Sequence, residues 1–243
     1  MILGHRGSPR QAPENTLRSF RCAIDAGADG VELDVRLART GEVVVGHDAT
    51  LTRTAHANVR VAATSAWALG RWDLGGGETV PTLDSVFAAL PGRFINVEIK
   101  HDDVDGQAIA RATVECIRRA GRTRSVIVSC FEPRVLDAVR RCDPEIRRGL
   151  LVPPDALERA DILARGVAAR PHAIHPHHSM VSVETVRDWH ARGWQVNVWT
   201  VDRPTDVARC IEAGVDAIIT NVPGEAVDAV GRLGGARPLE AAG

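Results

Sequence analysis

Lysine is all but absent from this chain: Lys100 is the only one, and arginine supplies every other basic side chain among the 30 Lys and Arg residues. Any surplus of charge is missing too. The formal net charge of −1 provides no global field suited to nucleic acid or to an anionic membrane. No apolar run approaches the roughly 20 residues of a membrane span, so stable membrane insertion is not expected. Met1-Ile2-Leu3 leads directly into "GHRG" with no basic n-region or apolar h-region, so no signal peptide is expected. The five cysteines (Cys22, Cys116, Cys130, Cys142 and Cys210) are scattered, odd in number and never in CxxC spacing. That argues against a disulfide framework or a zinc site and points to a reducing cytoplasm. No Pro/Gly/Ser-rich linker divides the chain. Residues 1–230 therefore read as one domain, with 231–243, ending "GGARPLEAAG", as a frayed C-terminal tail.

What is present is a repeating α/β pattern. Strand-like runs occur at 2–4, 30–35, 94–100, 125–129, 148–152, 173–176, 194–199 and 216–220. Helical patterns lie between them at 15–26, 83–90, 105–120, 133–141, 155–165, 182–192 and 204–213. Eight βα units in 243 residues suit a closed (β/α)8 barrel, which takes roughly 250. One run breaks the pattern. "VVVGHD" (43–48) follows "VELDV" with room only for a turn near Thr40-Gly41, so the two should form an antiparallel hairpin. That spacing returns His47 to the level of Asp34, and 49–80 becomes an excursion over the top of the barrel.

Barrel sites are built at the C-terminal ends of strands. There stand His5 and Arg6, then Glu32 and Asp34, then Glu98 and Lys100, with His47 joining through the hairpin. Residues two apart share a strand face, so Glu32 pairs with Asp34 and Glu98 with Lys100 on the inner wall. Three inward carboxylates repel one another in a low-dielectric interior and call for a counter-charge. A hard divalent cation supplies it, and all-oxygen ligation favours Mg2+ or Ca2+ over zinc. A salt-bridge network with Arg6 and Lys100 alone would leave two histidines at the same rim unexplained. Together these groups suit a phosphodiester: cations neutralise the phosphoryl oxygens, and two imidazoles move protons.

The segments "HRGSPRQAPENT", "GADGVELDVR", "VVVGHDATLTRT", "VPTLDSV", "NVEIK", "VIVSCF" and "VNVWTVD…GVDAIITNVP" resemble, in order and spacing, the glycerophosphodiester phosphodiesterase family, over about residues 2–224. The resemblance implies a TIM-type barrel that hydrolyses deacylated phospholipids to glycerol 3-phosphate and an alcohol with a divalent metal. It implies His5 and His47 as the acid–base pair, Glu32, Asp34 and Glu98 as metal ligands, Arg6 and Lys100 as phosphate-binding cations, and Glu14 of "PENT" as a support. Two positions depart from the family pattern. Asn221 stands where an Asp is usual, and Cys130 stands where a second Ser is usual; neither is an acid–base or metal position.

Other features are less specific. "HAIHPHHSM" (172–180) reads as a strand end and solvated loop near the mouth rather than a second metal site. Trp199, at a strand end, either packs against the substrate or closes the barrel core. Trp67 and Trp72 either cap the pocket or pin the excursion by burial. A lysophospholipase D or a cyclising phosphodiesterase on the same barrel would want a wider, more apolar mouth than the short excursion offers. A catalytically silent binding barrel would lack one of the acid–base or metal residues, and none is missing. Headgroup preference and oligomeric state are left open.

Overall fold

Nine strands form among the described residues, eight of them within two residues of the runs expected from sequence. They are β1 (Ile2–His5), β2 (Gly30–Leu37), β3 (Val43–Val45), β4 (Phe94–Ile99), β5 (Val126–Cys130), β6 (Arg147–Val152), β7 (Ala173–Pro176), β8 (Gln195–Val198) and β9 (Ala217–Thr220). All but β3 run parallel, in the order β1-β9-β8-β7-β6-β5-β4-β2, and β1 pairs with β2 to close the barrel. The computed structural model describes residues 1–154 and 159–232. The tail from 233 onward lies outside them.

The extra strand has a geometric cause. β1 is short and its pairing with β2 ends at His5–Glu32. Above that level β2 still needs a partner on that edge. There Val35 pairs with Ile99 of β4 on one side and with Val45 of β3 on the other. The hairpin turn carries Gly41 at φ +92°, a conformation that a side chain would strain. The Gly46 amide donates to the Asp34 carbonyl at 3.0 Å, which sets His47 at the height of Asp34 as the spacing predicts.

Alternation decides what faces where. Val31, Leu33 and Val35 of β2 are buried in the apolar layer between barrel and helices, together with Phe20, Ile95, Val97 and Ile99. The intervening Glu32, Asp34 and Arg36 are buried as well but point the other way, to the barrel axis and its mouth.

The helices are α1 (Leu17–Asp25), α2 (Thr52–Ala55), α3 (Ala66–Leu69), α4 (Leu83–Ala89), α5 (Gly106–Arg119), α6 (Pro133–Cys142), α7 (Arg159–Ala169), α8 (Val183–His190), α9 (Pro204–Ala213) and α10 (Pro223–Arg232). Several depart from the sequence reading, the short α2 and α3 of the excursion among them. α1 begins at Leu17 rather than 15, because Thr16 caps it and Asn15 is in the left-handed region at φ +59°. α7 runs to Ala169, past the expected end at 165, and positions 155–158 of the expected 155–165 fall outside the described residues. α10 was not expected. Gly224 and Gly231 mask its pattern, but Pro223 suits a first helical turn and the helix packs on β1 and α9. The excursion 49–80 carries α2, α3 and a 3-10 turn at Val61–Ala63, and builds its own small core from Leu51, Val61, Ala66, Leu69 and Val80 against Ala38 and Val44 of the hairpin region. Trp67 does not pin it by burial, being 74% exposed with Arg71 5.0 Å from its ring, and Trp72 is exposed too. No described helix is long and apolar enough to cross a membrane.

Gly30 opens the strand that carries two of the site carboxylates. A Cβ there would sit 2.1 Å from the Phe94 carbonyl oxygen, so β2 and β4 could not keep their register. Gly30→Ala is expected to destabilise the fold by about 1–3 kcal/mol in urea denaturation, the usual cost of overpacking a closed interior.

Candidate functional site

The site is assembled on neighbouring strand ends. Asp34 of β2 and Glu98 of β4 are directly paired in register, and Glu32 lies one alternation below Asp34. One oxygen from each of the three carboxylates falls within 4.8 Å of the other two, and all three residues are buried. Lys100, just past the end of β4, lies 3.3 Å from Asp34 Oδ1 and forms a close ion pair with Glu98 Oε1. Arg6 places its Nε 3.1 Å from Asp34 Oδ2, and its backbone amide donates to Glu32 Oε2 at 3.0 Å.

That amide reaches Glu32 because Arg6 is held at φ +53° in the turn after β1. Asn15 is held in the same left-handed region, and its Nδ2 donates to Asp34 Oδ2 at 2.9 Å. Two non-glycine residues in this sparsely populated conformation, both touching the carboxylate cluster, mark where the backbone is shaped to the site.

The electrostatics follow from burial. Burial, with Asp34 beside it, pushes Glu32 up to about 8. Burial likewise raises Glu98 to about 7 despite Lys100. For Asp34 burial also acts upward, but Lys100 and Arg6 outweigh it and hold the group at about 2. Glu32 Oε1 and Asp34 Oδ1 are buried with no hydrogen-bond partner among the described residues, and only the second has Lys100 beside it, at 3.3 Å. An orphaned, buried carboxylate oxygen inside a three-carboxylate cluster fits a hard cation bound by oxygen. Three carboxylates against Lys100 and Arg6 leave one net negative charge. A divalent cation would turn it into one net positive charge, matched to the single negative charge of a phosphodiester.

The two histidines face this cluster with different partners. His5 Nε2 is 3.9 Å from Glu32 Oε2, and its Nδ1 is 2.7 Å from Asn221 Oδ1. The Asn221 amide is oriented by Asp202, which accepts from both its Nδ2 (2.7 Å) and its backbone N–H (2.8 Å). A carboxylate only accepts, so the Asn221 oxygen faces His5, and Nδ1 of His5 must carry the proton. Nε2 is left as an acceptor toward the cluster. His47 Nδ1 instead meets a carboxylate, Asp48 Oδ1, at 2.7 Å. Burial depresses both imidazoles below their ordinary value, Arg6 adding to the effect at His5, while Asp34 and Asp48 oppose it at His47.

Glu14 supports the cluster, taking Arg6 Nη1 at 2.8 Å and a two-pronged contact from Arg53 at 2.7 and 2.8 Å. Arg53 also donates to Asp48 Oδ2 at 2.7 Å, so it straps the loop of His5 to the loop of His47. Trp199 is half-buried between both expected roles. Its Nε1 donates to the His175 carbonyl at 2.7 Å, while Phe131 and His177 meet its ring edge-on at the barrel mouth. The histidine tract disperses. His175 is fully buried inside the barrel, and His177 and His178 lie at the rim; no second metal cluster occurs among the described residues. Cys130 is buried and its thiol is pushed up to about 12, unsuited to a nucleophile.

Asn15, Asp48, Arg53, Asn221 and Asp202 were not singled out as site residues from sequence. Asn15, Asp48 and Arg53 lie within segments that carry the family resemblance. Asn221 is only a departure from the family pattern, and Asp202 closes the resembling run "VNVWTVD".

A sequence profile of the glycerophosphoryl diester phosphodiesterase family matches residues 5–225. A glycerophosphodiester phosphodiesterase of Caldanaerobacter subterraneus subsp. tengcongensis is 33% identical over 244 residues, covering 97% of this chain and 99% of the relative. Among solved structures, an Oleispira antarctica phosphodiesterase in complex with the product sn-glycerol-3-phosphate superimposes with a TM-score of 0.87. It is 28% identical, with 95% of this chain and 96% of that chain covered. The Thermotoga maritima glycerophosphodiester phosphodiesterase matches at a TM-score of 0.79 and 30% identity, covering 93% of this chain and 96% of that one.

The elevated Glu32 and Glu98 carboxyls must lose their protons to ligate a cation. Calcium or magnesium is therefore expected to bind more tightly at pH 8 than at pH 6. Titration calorimetry in buffers of different ionisation enthalpy should register proton release on binding.

Proposed function

Since this chain belongs to the glycerophosphoryl diester phosphodiesterase family, we propose that it hydrolyses glycerophosphodiesters to glycerol 3-phosphate and an alcohol. Glu32, Asp34 and Glu98 hold a divalent cation, Mg2+ or Ca2+, and His5 and His47 move the protons. The observation that carries this reading is the convergence of the three buried carboxylates, Arg6, Lys100 and both histidines on one end of the barrel. The product named for the Oleispira antarctica relative supports the substrate class.

A divalent cation held by Glu32, Asp34 and Glu98 would supply Lewis-acid charge stabilisation at the phosphate and would make a nearby hydroxyl more acidic. The chain's own groups do the rest. Arg6 and Lys100 bind the non-bridging phosphoryl oxygens and neutralise charge that grows on them. His5, neutral and with Nε2 free, takes the proton from the substrate's 2-hydroxyl as that oxygen attacks phosphorus. His47, whose protonated form is stabilised by the Asp48 carboxylate, gives a proton to the departing alcohol. A cyclic phosphate results. Water then opens it with the roles reversed: His47 takes a proton from the water and His5 returns one to the ring oxygen, restoring both imidazoles.

Trp199 contributes a flat apolar surface beside the phosphate site, where Lys100 Nζ lies 5.9 Å from the Phe131 ring and Phe131 meets Trp199 edge-on. It is the substrate-binding group for the carbon skeleton rather than for the phosphate.

A coupled assay for glycerol 3-phosphate over a panel of glycerophosphodiesters should detect turnover that EDTA abolishes. His5→Ala and His47→Ala should each lower kcat by at least about a hundredfold with the fold intact by circular dichroism. Turnover insensitive to EDTA, or normal in either variant, would sink the proposal. Lys100→Arg keeps the charge but replaces a compact ammonium with a fork that crowds Asp34 and Glu98. It should cost about tenfold to a hundredfold in kcat/KM, measured in the same assay.

A further inference from the structure

Arg36 is the third residue in the inward row of β2, one alternation above Asp34, and the reaction just described gives it no task. Its side chain is only 4% exposed, yet all three kinds of guanidinium nitrogen are used. Nε donates to the His47 carbonyl at 2.8 Å. Nη1 donates to Asp103 Oδ1 and Nη2 to Asp102 Oδ1, each at 2.8 Å. Asp103 is itself buried at 6% exposure, whereas Asp102 is 64% exposed and its pairing is worth little. The Lys100 amide donates to the Val35 carbonyl at 3.1 Å, so the turn that holds Asp102 and Asp103 is the one Lys100 opens.

We propose that Arg36 is a positioning residue that fixes the distance between His47 and Lys100 across the barrel mouth. The proposal rests on the reading that these two groups act on one substrate. His47 sits in the loop after β3 and Lys100 in the loop after β4, and Arg36 bonds to the main chain of the first and to Asp103 in the second. The Nε bond grips the main chain of His47 itself, so movement of that loop carries the imidazole with it. The Nη1 bond to buried Asp103 anchors the opposite end. A lysine has one ammonium on a flexible stem and cannot hold three acceptors in one plane. Proton delivery to a leaving oxygen depends on such spacing: a displacement of about 1 Å can cost a hundredfold in rate.

The test uses Arg36→Lys, Asp103→Asn and the double variant of the full chain, each checked for folding by circular dichroism and read in two ways. In turnover, each single variant is expected to lose about tenfold to a hundredfold in kcat. KM and calcium affinity should stay within about twofold, and the double variant should be no slower than the slower single one, because both cut the same link. In metal-free protein, nitrogen-15 imidazole spectra should show the His47 resonances moving while those of His5 stay in place. A folded Arg36→Lys protein with unchanged kcat and unchanged His47 resonances overturns the proposal. So does a loss that tracks calcium affinity, or one that doubles in the combined variant. Should Arg36→Lys fail to fold, Asp103→Asn alone decides by the same readings. Wild-type protein without metal-dependent turnover would instead refute the phosphodiesterase reading, and the imidazole spectra would still decide whether Arg36 positions His47.

Discussion

Three carboxylates buried on one inner face of a closed barrel are the constraint on which the remaining structure depends. Glu32, Asp34 and Glu98 cannot all be ionised there without compensation, because a low-dielectric interior magnifies their repulsion. The compensation is distributed. Lys100 serves Asp34 and Glu98, Arg6 serves Asp34 with its side chain and Glu32 with its amide, and Asn15 donates to Asp34. It remains incomplete at Glu32, whose Oε1 is buried with no hydrogen-bond partner among the described residues. The solitary lysine is intelligible in these terms. Two carboxylates across a strand pair leave room for a compact ammonium, while the chain's arginines go where flat, multi-pronged recognition is wanted.

Around that cluster the arginines act as struts. Arg6 and Arg53 meet at Glu14, Arg53 continues to Asp48 beside His47, and Arg36 joins the back of His47 to the turn beyond Lys100. The loops that carry His5, His47 and Lys100 are thereby fixed to one another rather than only to their own strands. The excursion supplies one of these struts from a small apolar core of its own, built on Val44 of the hairpin. A hairpin that exists because β1 is too short to cover β2 thus carries a histidine, and the segment it launches holds that histidine in place.

Much of this was legible in the sequence for a simple physical reason: strand alternation has period two, and runs such as "VELDV" and "NVEIK" declare which side chains share a face. The barrel, the hairpin, the level of His47 beside Asp34 and the carboxylate cluster all follow from local spacing plus the parallel topology. The misses arise where local pattern and tertiary demand part. Asn15 reads as the start of a helix, but it is forced left-handed so that its amide can reach Asp34. α10 is absent from the helices expected by pattern, and its packing on β1 and α9 outweighs the propensity cost of Gly224 and Gly231. Of the two roles open to Trp67, capping the pocket or pinning the excursion by burial, its exposure removes the second.

The sequence by itself determined the eight-unit barrel, the antiparallel insertion and the identity of the groups at its mouth, because these depend on periodicity and on residues a few positions apart. Only the tertiary structure decided how those groups are partnered. Asp202, Asn221 and His5 are brought together by closure of the barrel between β1 and β9. Arg36 and Asp103 lie 67 positions apart, in a pairing that no spacing rule encodes. The tautomer of His5 and the struts between the loops rest on long-range contacts, and long-range contacts exist only once the ring has closed.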